Sequence, residues 1–427
     1  MTAMHATISP QALIDVEGMT QWRHAMHRHP ELGFEEFRTS ALVAQCLRDW
    51  GYEVTTGLAG TGLVGRLRFG SGGKSLGLRA EMDALPIEEA TGLPWASALP
   101  GKMHGCGHDG HTAMLLGAAK ALAQQREQGV DWNGTLHLIF QPAEELGGAG
   151  GAQRMIDEGL FSRFPCDAVF AMHNHPDQPA RQMFFRTGAF LASSDKVHIV
   201  YRGKGGHGAI PHQAIDPSLP AAATVLALQS IVARNVDPLQ SAVVTVGRLQ
   251  AGQTYNVIPE AAELELSVRA LTPEVRELLA RRIPEVAHGQ AASFGVECEV
   301  AYERGYPVLV NTEAETRLAS RVARQLFGED QVMEDATPLC ASEDFAYMLQ
   351  QRPGCYLMIG NGHNGHAGGQ PSGPCSVHNP HFDFNDGCLG TGAAFWVGLA
   401  EAFFSDDFRS TPISYVSPTP HLRKESP

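Results

Sequence analysis

Two strand-like runs that are apolar along almost their whole length constrain the fold most. Residues 134–141 have the sequence GTLHLIFQ, and residues 167–173 have the sequence DAVFAMH. A strand with one wet face alternates apolar and polar residues, whereas a continuous apolar run suits a strand covered by helices on both faces of a mostly parallel sheet. Strands at 62–69 and 75–80 and a helix at 112–125 extend the pattern. The first part of the chain is therefore predicted to be an α/β domain.

The pattern changes near residue 189 to apolar/polar alternation, which is typical of half-exposed antiparallel strands. These strands are predicted at 196–202, 242–249 and 263–270, with helices at 217–235 and 273–292. After residue 306 the α/β pattern resumes. The elements predicted there are a helix at 312–327, a strand at 355–360 and a last helix from 386 to about 404.

We therefore predict a doubly wound α/β domain with a mixed sheet, formed by residues 1–188 and 306–405. An α+β domain at 189–305 interrupts it, and the Ser- and Pro-rich tail at 406–427 is expected to have no structure of its own. Two domains also suit a chain of 427 residues, which is longer than one hydrophobic core usually spans.

Charge and cysteine content exclude some functions and favour one compartment. A net charge of -14 repels phosphate backbones and anionic lipid surfaces, so neither nucleic acid nor a membrane is expected as a partner. Eight cysteines are too sparse and irregular in so long a chain for a disulfide framework. We expect no signal peptide, no apolar stretch of the roughly 18 to 20 residues that a bilayer span needs, and a cytoplasmic location.

The segment Met103 to His111, MHGCGHDGH, predicts a metal site. Cys106 and His108 flank a single glycine just before a helix whose first turn holds Asp109. Imidazole and thiolate ligands favour Zn, Mn, Co or Ni over Ca or Mg. A lone Cys-x-His pair more often just lines a loop, but the additional His104 and His111 favour the metal site.

Paired carboxylates, Glu144 and Glu145, follow the strand that ends near Gln141. Ligands of open α/β sheets bind at the carboxyl ends of the strands. One carboxylate can bind metal while its neighbour accepts a proton from water. The alternative is an exposed acidic turn.

Histidines elsewhere are weaker candidates. His173 ends the strand DAVFAMH, with His175 two residues later, and either can instead be an ordinary core or surface histidine. Spacing cannot choose a further ligand among four histidines of a Gly/Pro-rich stretch, which are His363, His366, His378 and His381.

Three residues of the insertion are candidates for substrate contact. Glycines in GKGGH would let His207 approach a ligand closely. Asn256 and Arg269 are able to bind a substrate carboxylate, Arg through its bidentate fork. Each of the three has a structural alternative.

In sequence and order, these motifs resemble the peptidase M20 family, in particular the amidohydrolase branch that includes hippurate hydrolases and hydrolases of indole-acetyl amino acid conjugates. The resemblance covers nearly the whole chain. The motifs that carry it are RHAMHRHPELGFEE, RAEMDALPI, MHGCGHDGHTAML, QPAEE, AMHNHP, GKGGHGAIPH, YNVIPE and VHNPHFDFND.

The resemblance implies a dinuclear centre that holds two divalent ions, either Mn, Zn, Co or Ni. It implies these metal ligands, with the Cys106 thiolate bridging both ions: Cys106, His108, Glu145, His173 and His378. It makes Glu144 the general base toward a metal-bound water. It also implies that His207, often from a partner subunit, stabilises the oxyanion, that Asn256 and Arg269 hold the substrate carboxylate, and that the insertion is a lid that also dimerises.

The expected activity is hydrolysis of N-acyl amino acids with acetyl, benzoyl or indole-acetyl groups, by a homodimer. A dipeptidase or N-carbamoyl amino acid hydrolase is the alternative on the same site. A non-catalytic metal- or amino-acid-binding protein and a thiol enzyme that uses Cys106 remain open as other classes. The sequence departs from the branch at Glu81, where Asp is usual, and at Leu146, an added residue expected to reshape the pocket wall.

Overall fold

The computed structural model describes residues 13–71, 73–362 and 375–405; the tail at 406–427, His363 and His366 lie outside them. The described helices are α1 (Val16–Arg28), α2 (Phe37–Asp49), α3 (His108–Glu127), α4 (Gly151–Asp157), α5 (Leu160–Arg163), α6 (Ser218–Arg234), α7 (Pro273–Phe294), α8 (Glu313–Phe327), α9 (Phe345–Gln351) and α10 (Leu389–Phe404). The described strands are β1 (Glu53–Leu58), β2 (Gly62–Phe69), β3 (Lys74–Glu81), β4 (Gly134–Gln141), β5 (Ala168–Pro176), β6 (Met183–Phe184), β7 (Gly188–Leu191), β8 (Asp195–Arg202), β9 (Gly206–His207), β10 (Ala242–Ala251), β11 (Val257–Ile258), β12 (Ala261–Ala270), β13 (Glu297–Arg304), β14 (Leu309–Asn311), β15 (Val332–Met333) and β16 (Gly354–Gly362).

The main sheet is mixed, with strand order β1-β2-β4-β3-β5-β16-β6-β15. Its four central strands, β4, β3, β5 and β16, are parallel, so their carboxyl ends lie at one edge. Strands β1 and β2 add an antiparallel edge. The predicted α/β fold with a mixed sheet is confirmed.

Helices cover both faces of this sheet, which explains the continuous apolar runs. In β5, Phe170 and Met172 pack into one core cluster, whereas Val169 and Ala171 pack into another on the opposite face. Helix α3 contacts α1, α10 and β3, and most of its length is buried. The candidate metal ligand at its first turn, His108, is therefore held by a rigid element.

A second, four-stranded antiparallel sheet has the order β10-β12-β8-β13 and its own apolar core. Helices α6 and α7 pack against each other and on this sheet. In β12 buried residues alternate with more exposed ones, as expected for a sheet with one covered face. The second sheet runs from Asp195 to Arg304. These limits support the proposed division of the chain at residues 189 and 305, which remains a proposal.

Among the described helices, one segment, Asp386–Phe404, is long and apolar enough to cross a membrane by length and composition. It has 19 residues, so the expectation that no apolar stretch reaches this length is wrong. Because 72% of the segment is buried inside the protein, it matches the core helix of a folded domain.

Candidate metal centre

The candidate site lies at the carboxyl edge of the four parallel strands. Glu144 and Glu145 follow β4, His173 lies near the end of β5, and α3 begins at His108. Gly107, which precedes α3, has a φ of 97°, a left-handed conformation that favours glycine. Parallel topology therefore brings together side chains that are far apart in the sequence.

The five predicted ligands form two triads that share Cys106. The first triad is Cys106, His108 and His173, and the second is Cys106, Glu145 and His378; within each, the potential ligand atoms lie within 4.8 Å of one another. Cys106 Sγ is 3.3 Å from His173 Nε2, and His378 Nε2 is 3.0 Å from Glu145 Oε1. A shared sulfur is the arrangement that a bridging thiolate requires.

The imidazoles of the first triad are oriented as metal ligands are. His108 Nδ1 lies 2.9 Å from the backbone oxygen of Asp83 and 3.1 Å from its Oδ1, while the buried Nε2 has no hydrogen-bond partner. His173 Nδ1 lies 2.7 Å from the backbone oxygen of Asn174, which leaves Nε2 facing Cys106. Metal-binding histidines are usually held through the other ring nitrogen in this way, so the residues fit a metal ion.

Electrostatics also favour a cation between these groups. Burial raises the pKa of the Cys106 thiol well above its usual value, and the carboxylates of Glu145 and Glu144 raise it further. Burial would lower the pKa of His108, but Asp83 outweighs it and raises the value to about 10. The thiolate and the carboxylates thus need neighbouring positive charge, which divalent ions supply.

The two adjacent carboxyl groups have pKa values that shift in opposite directions. Burial raises the pKa of Glu144 well above normal, and Glu343 and Glu145 add to the shift. Burial would also raise the pKa of Glu145, but its contact with His378 lowers it. Opposite pKa shifts of this kind are what two neighbouring carboxyl groups require when one is to bind metal and the other is to exchange a proton.

Sequence reasoning missed the buried groups that surround this pair. Glu144, Glu343 and Asp344 have carboxylate oxygens within 4.8 Å of one another. Arg79 Nη2 donates to Glu343 at 2.8 Å and to Asp344 at 2.9 Å, so one positively charged guanidinium binds both carboxyl groups. Asp83 also went unassigned, although it follows β3 at the strand edge where β4 and β5 carry candidates. Its position after a strand could have identified Asp83 from the sequence. The acidic pair in the segment SEDF, residues 342–345, could likewise have indicated Glu343 and Asp344.

The insertion delivers one of its three candidates to the site. A cavity of about 750 Å³ is lined by Cys106, Glu144 and His378, and also by Arg269. Arg269 Nη1 donates to Ser342 Oγ at 2.9 Å. His207 and Asn256 are exposed and are not among the residues that line this cavity. Within the described residues these two lie away from the cavity lining, and their contact with substrate stays a prediction.

The remaining histidines have other positions. His111 lies 3.1 Å from Glu81 Oε2 and 2.7 Å from Asn174 Oδ1, and His104 is buried beside α1. His175 lines the cavity. His381 is exposed and does not line it, so of the two described histidines in the C-terminal stretch His378 reaches the site.

The two departures from the family pattern lie outside the ligand triads. Glu81 is buried between Arg79 and His111. Leu146 lies over Gly33, where an added Cβ would be 2.9 Å from the leucine side chain. Leu146 does not itself line the cavity, whereas Gly147 and Gly148 directly after it do, so its expected effect on the pocket wall stays a prediction.

Comparison with known proteins gives consistent matches over most of the chain. The model of peptidase family M20/M25/M40 matches residues 77–402. The chain is 42% identical to a hippurate hydrolase of Campylobacter jejuni, over 91% of this chain and 97% of that protein. It is 41% identical to an N-acetyl-L-cysteine deacetylase of Bacillus subtilis, over 79% of each. The crystal structure of the Bacillus subtilis YXEP protein, a dinuclear metal-binding peptidase of the M20 family, aligns with a TM-score of 0.77 and 32% identity, over 90% of this chain and 97% of that one.

Proposed function

This chain belongs to the peptidase family M20/M25/M40, and from that membership we propose that it is a metal-dependent amidohydrolase that cleaves N-acyl amino acids. The products are a carboxylic acid and a free amino acid. The relatives named for hippurate and for N-acetylcysteine share an amino acid acylated on nitrogen, which supports this substrate class. The observation that carries the proposal is the pair of ligand triads on one sulfur beside a buried carboxyl group that belongs to neither triad.

We propose that the two triads each hold a divalent ion, either Mn, Zn, Co or Ni, with Cys106 shared. These ions would polarise a water molecule and the substrate carbonyl as Lewis acids. His108 is fixed for this role by Asp83, and His173 by the backbone of Asn174. The high pKa of the Cys106 thiol also counts against the thiol-enzyme alternative, since a nucleophilic cysteine needs a lowered pKa.

We propose that Glu144 is the general base. Its carboxylate accepts a proton from the attacking water as the new carbon–oxygen bond forms, and then returns it to the amide nitrogen as the carbon–nitrogen bond breaks. The raised pKa of Glu144 suits a group that must take and return a proton. The hydroxyl of Tyr306 donates to the backbone oxygen of Glu144 and holds this segment in place.

Arg269 is the proposed partner of the substrate carboxylate. It lies on β12 of the insertion, reaches the cavity and is half-buried. One nitrogen of its fork donates to Ser342, which also lines the cavity, and the guanidinium has further N–H groups with which to bind a carboxylate. Apolar side chains of the same cavity, Leu191, Tyr356 and Met358, suit the acyl portion.

We propose that a second copy of the chain supplies His207 and Asn256, with His207 stabilising the oxyanion of the tetrahedral intermediate and Asn256 helping to bind the substrate carboxylate. Both residues are exposed, and large apolar side chains lie exposed in the same part of the insertion. Leu226 on α6 is 76% exposed and Tyr255 is 99% exposed. Such surface is typical of an interface. A homodimer through the lid would therefore cover this surface and complete the site.

A cytoplasmic location is also proposed. All eight cysteines are free thiols, which supports a reducing compartment.

A substrate panel with metal analysis tests the function. Acetyl, benzoyl and indole-acetyl conjugates of several amino acids, with dipeptides and N-carbamoyl amino acids as competitors, are followed by mass spectrometry before and after chelation. We expect acyl conjugates to be cleaved, activity to vanish on complete stripping, and Mn, Co, Ni or Zn to restore it. Activity that survives stripping contradicts the metal mechanism, and preference for dipeptides or carbamoyl compounds contradicts the substrate class. Metal binding without any turnover would instead indicate a binding protein.

A further inference from the structure

A buried arginine that belongs to neither ligand triad links segments that carry members of both. Arg23 lies on α1 and is fully buried. Its Nε donates to Asp109 Oδ2 at 3.1 Å, and its Nη1 donates to the backbone oxygen of Phe384 at 3.1 Å. Nη1 also donates to Asp386 Oδ1 at 2.7 Å, and Nη2 donates to Asp383. One planar group thus binds the first turn of α3 and a distant C-terminal segment.

That C-terminal segment, residues 375–388, is here called the strap. It carries His378 and has no regular structure before a 3-10 turn at Asp386–Cys388. His378 has a φ of 66°, and its side chain is 49% exposed. Its backbone N–H donates to Gly105 at 2.7 Å, so the strap lies directly against the Cys106 segment. A ligand on such a segment depends on anchors elsewhere in the strap.

The charged anchors of the strap lie at its far end. Asp386 binds Arg23 and also lies 2.8 Å from His24 Nε2. The ring of Phe384 packs on Gly110 of α3, where an added Cβ would lie 2.5 Å from the ring. The strap is therefore held to both α1 and α3, and Arg23 is the side chain that binds both of its aspartates, Asp383 and Asp386.

The two triads differ in how much they need this anchor. His108 and His173 lie on α3 and β5, whose backbone hydrogen bonds hold them in place. His378 lies outside any helix or strand, and its backbone is held by the hydrogen bond to Gly105 and by the anchors of the strap. Asp109 has a second partner, since His27 Nδ1 lies 2.8 Å from its Oδ2, so α3 keeps one link if Arg23 is lost. Loss of the Arg23 anchor should thus loosen the second triad more than the first.

We propose that Arg23, acting through Asp383 and Asp386, is a positioning residue that sets the place of His378 and hence the affinity of the second triad for its ion. The inference rests on the proposed metal-binding function. Outer contacts that orient metal ligands typically contribute about 10- to 100-fold to metal affinity. We expect a loss of this size at one triad and little change at the other.

The test uses Asp386→Asn, because Asp386 is partly exposed and its two side-chain partners, Arg23 and His24, both lie on α1. The stripped full-length protein is titrated with Mn²⁺ by calorimetry, and electron paramagnetic resonance distinguishes a coupled ion pair from single ions. We expect one ion to bind as in the parent protein and the second to bind about 10- to 100-fold more weakly. Arg23→Lys, which keeps the charge but loses the fork, should change binding in the same direction.

Reference variants assign the result. His378→Ala should remove the weakened ion altogether, and Arg66→Gln, which affects an exposed pair with Glu53, should bind both ions normally. Circular dichroism and thermal unfolding check that each variant folds. A parent protein that binds no ion pair contradicts the proposed function itself. If the parent protein binds two ions and a folded Asp386→Asn variant binds both with the parental affinity, this inference alone is overturned. Weakening of both ions by the same factor in that variant also overturns it.

Discussion

The main sheet and the inserted sheet contribute to the candidate site in different ways. From the main sheet and the segments that follow it, all five proposed ligands and Glu144 converge in one described chain. From the insertion, Arg269 on the four-stranded sheet lines the cavity, while His207 and Asn256 lie outside that sheet and are exposed. The residues proposed to break the bond are thus brought together by the fold of one chain, whereas only one of the three residues proposed to contact the substrate lies at the cavity.

The topology of the two sheets explains this difference. Parallel strands end at one edge, so successive loops meet there without any movement. In the inserted antiparallel sheet, neighbouring strands point in opposite directions, and the pair β9 and β11 that carries His207 lies in a separate two-stranded ribbon. Among the described residues, those of the ribbon do not line the cavity that holds Cys106, and their part in the site is the proposal that the last prediction tests.

The largest expected effect is on the main-sheet side, at Glu144. Glu144→Gln keeps size and polarity but cannot take a proton, so kcat should fall about 1000-fold or more for every substrate. Steady-state kinetics and metal analysis on the same preparation measure this. Metal content should match the parent protein, because Glu144 belongs to neither proposed triad that shares Cys106. Retained turnover would remove Glu144 as the base.

The next effect sharpens the claim that one sulfur serves both triads. Cys106→Ser should weaken both ions, by more than about 100-fold each, since a hydroxyl is a poor substitute for a thiolate. His173→Ala is the matched control and should weaken one ion only. Titration of the stripped proteins with Mn²⁺ separates the two cases. A Cys106→Ser variant that loses a single ion contradicts the bridging role.

Long, regular elements were predictable from sequence, and short ones were not. Strands β2 and β4 begin and end where their apolar runs predicted, at 62–69 and 134–141. Helix α3 was predicted to begin at residue 112 but begins at His108, because its first turn buries polar residues for the site and so lacks the usual apolar pattern. Strands of two residues, such as β9 and β11, are too short to show any periodicity.

The candidate site was predictable in part. Position after a strand indicated Glu144, Glu145 and His173, but spacing left four histidines open near the C-terminus. The choice of His378 came from family resemblance, and its role as a ligand stays a proposal. The side-chain contacts of Arg23 join residues between 86 and 363 positions apart, and those of Arg79 with Glu343 and Asp344 span 264 and 265 positions, so no local pattern reveals them.

On the insertion side, Arg269→Lys should lower kcat/KM about 10- to 100-fold, because lysine keeps the charge but loses the fork. An N-acyl amine that lacks the carboxylate is the control substrate. Its slower hydrolysis should be equal in the variant and the parent protein. If the variant affects both substrates alike, Arg269 does not bind the carboxylate, and the proposed division between chemistry and recognition is wrong at this residue.

The smallest expected signal is a partial recovery of activity, and it decides whether the insertion acts across two chains. His207→Ala should lower kcat about 100-fold if His207 stabilises the oxyanion. The His207→Ala variant is then mixed with the Glu144→Gln variant, and the two are allowed to exchange subunits. We expect the mixture to recover activity, because a hybrid dimer has one site with Glu144 from one chain and His207 from the other. Random exchange makes half of the dimers hybrid with one complete site each, so about a quarter of parental activity is expected. If His207 acts within its own chain, no site in any hybrid is complete, and the mixture stays as inactive as its components.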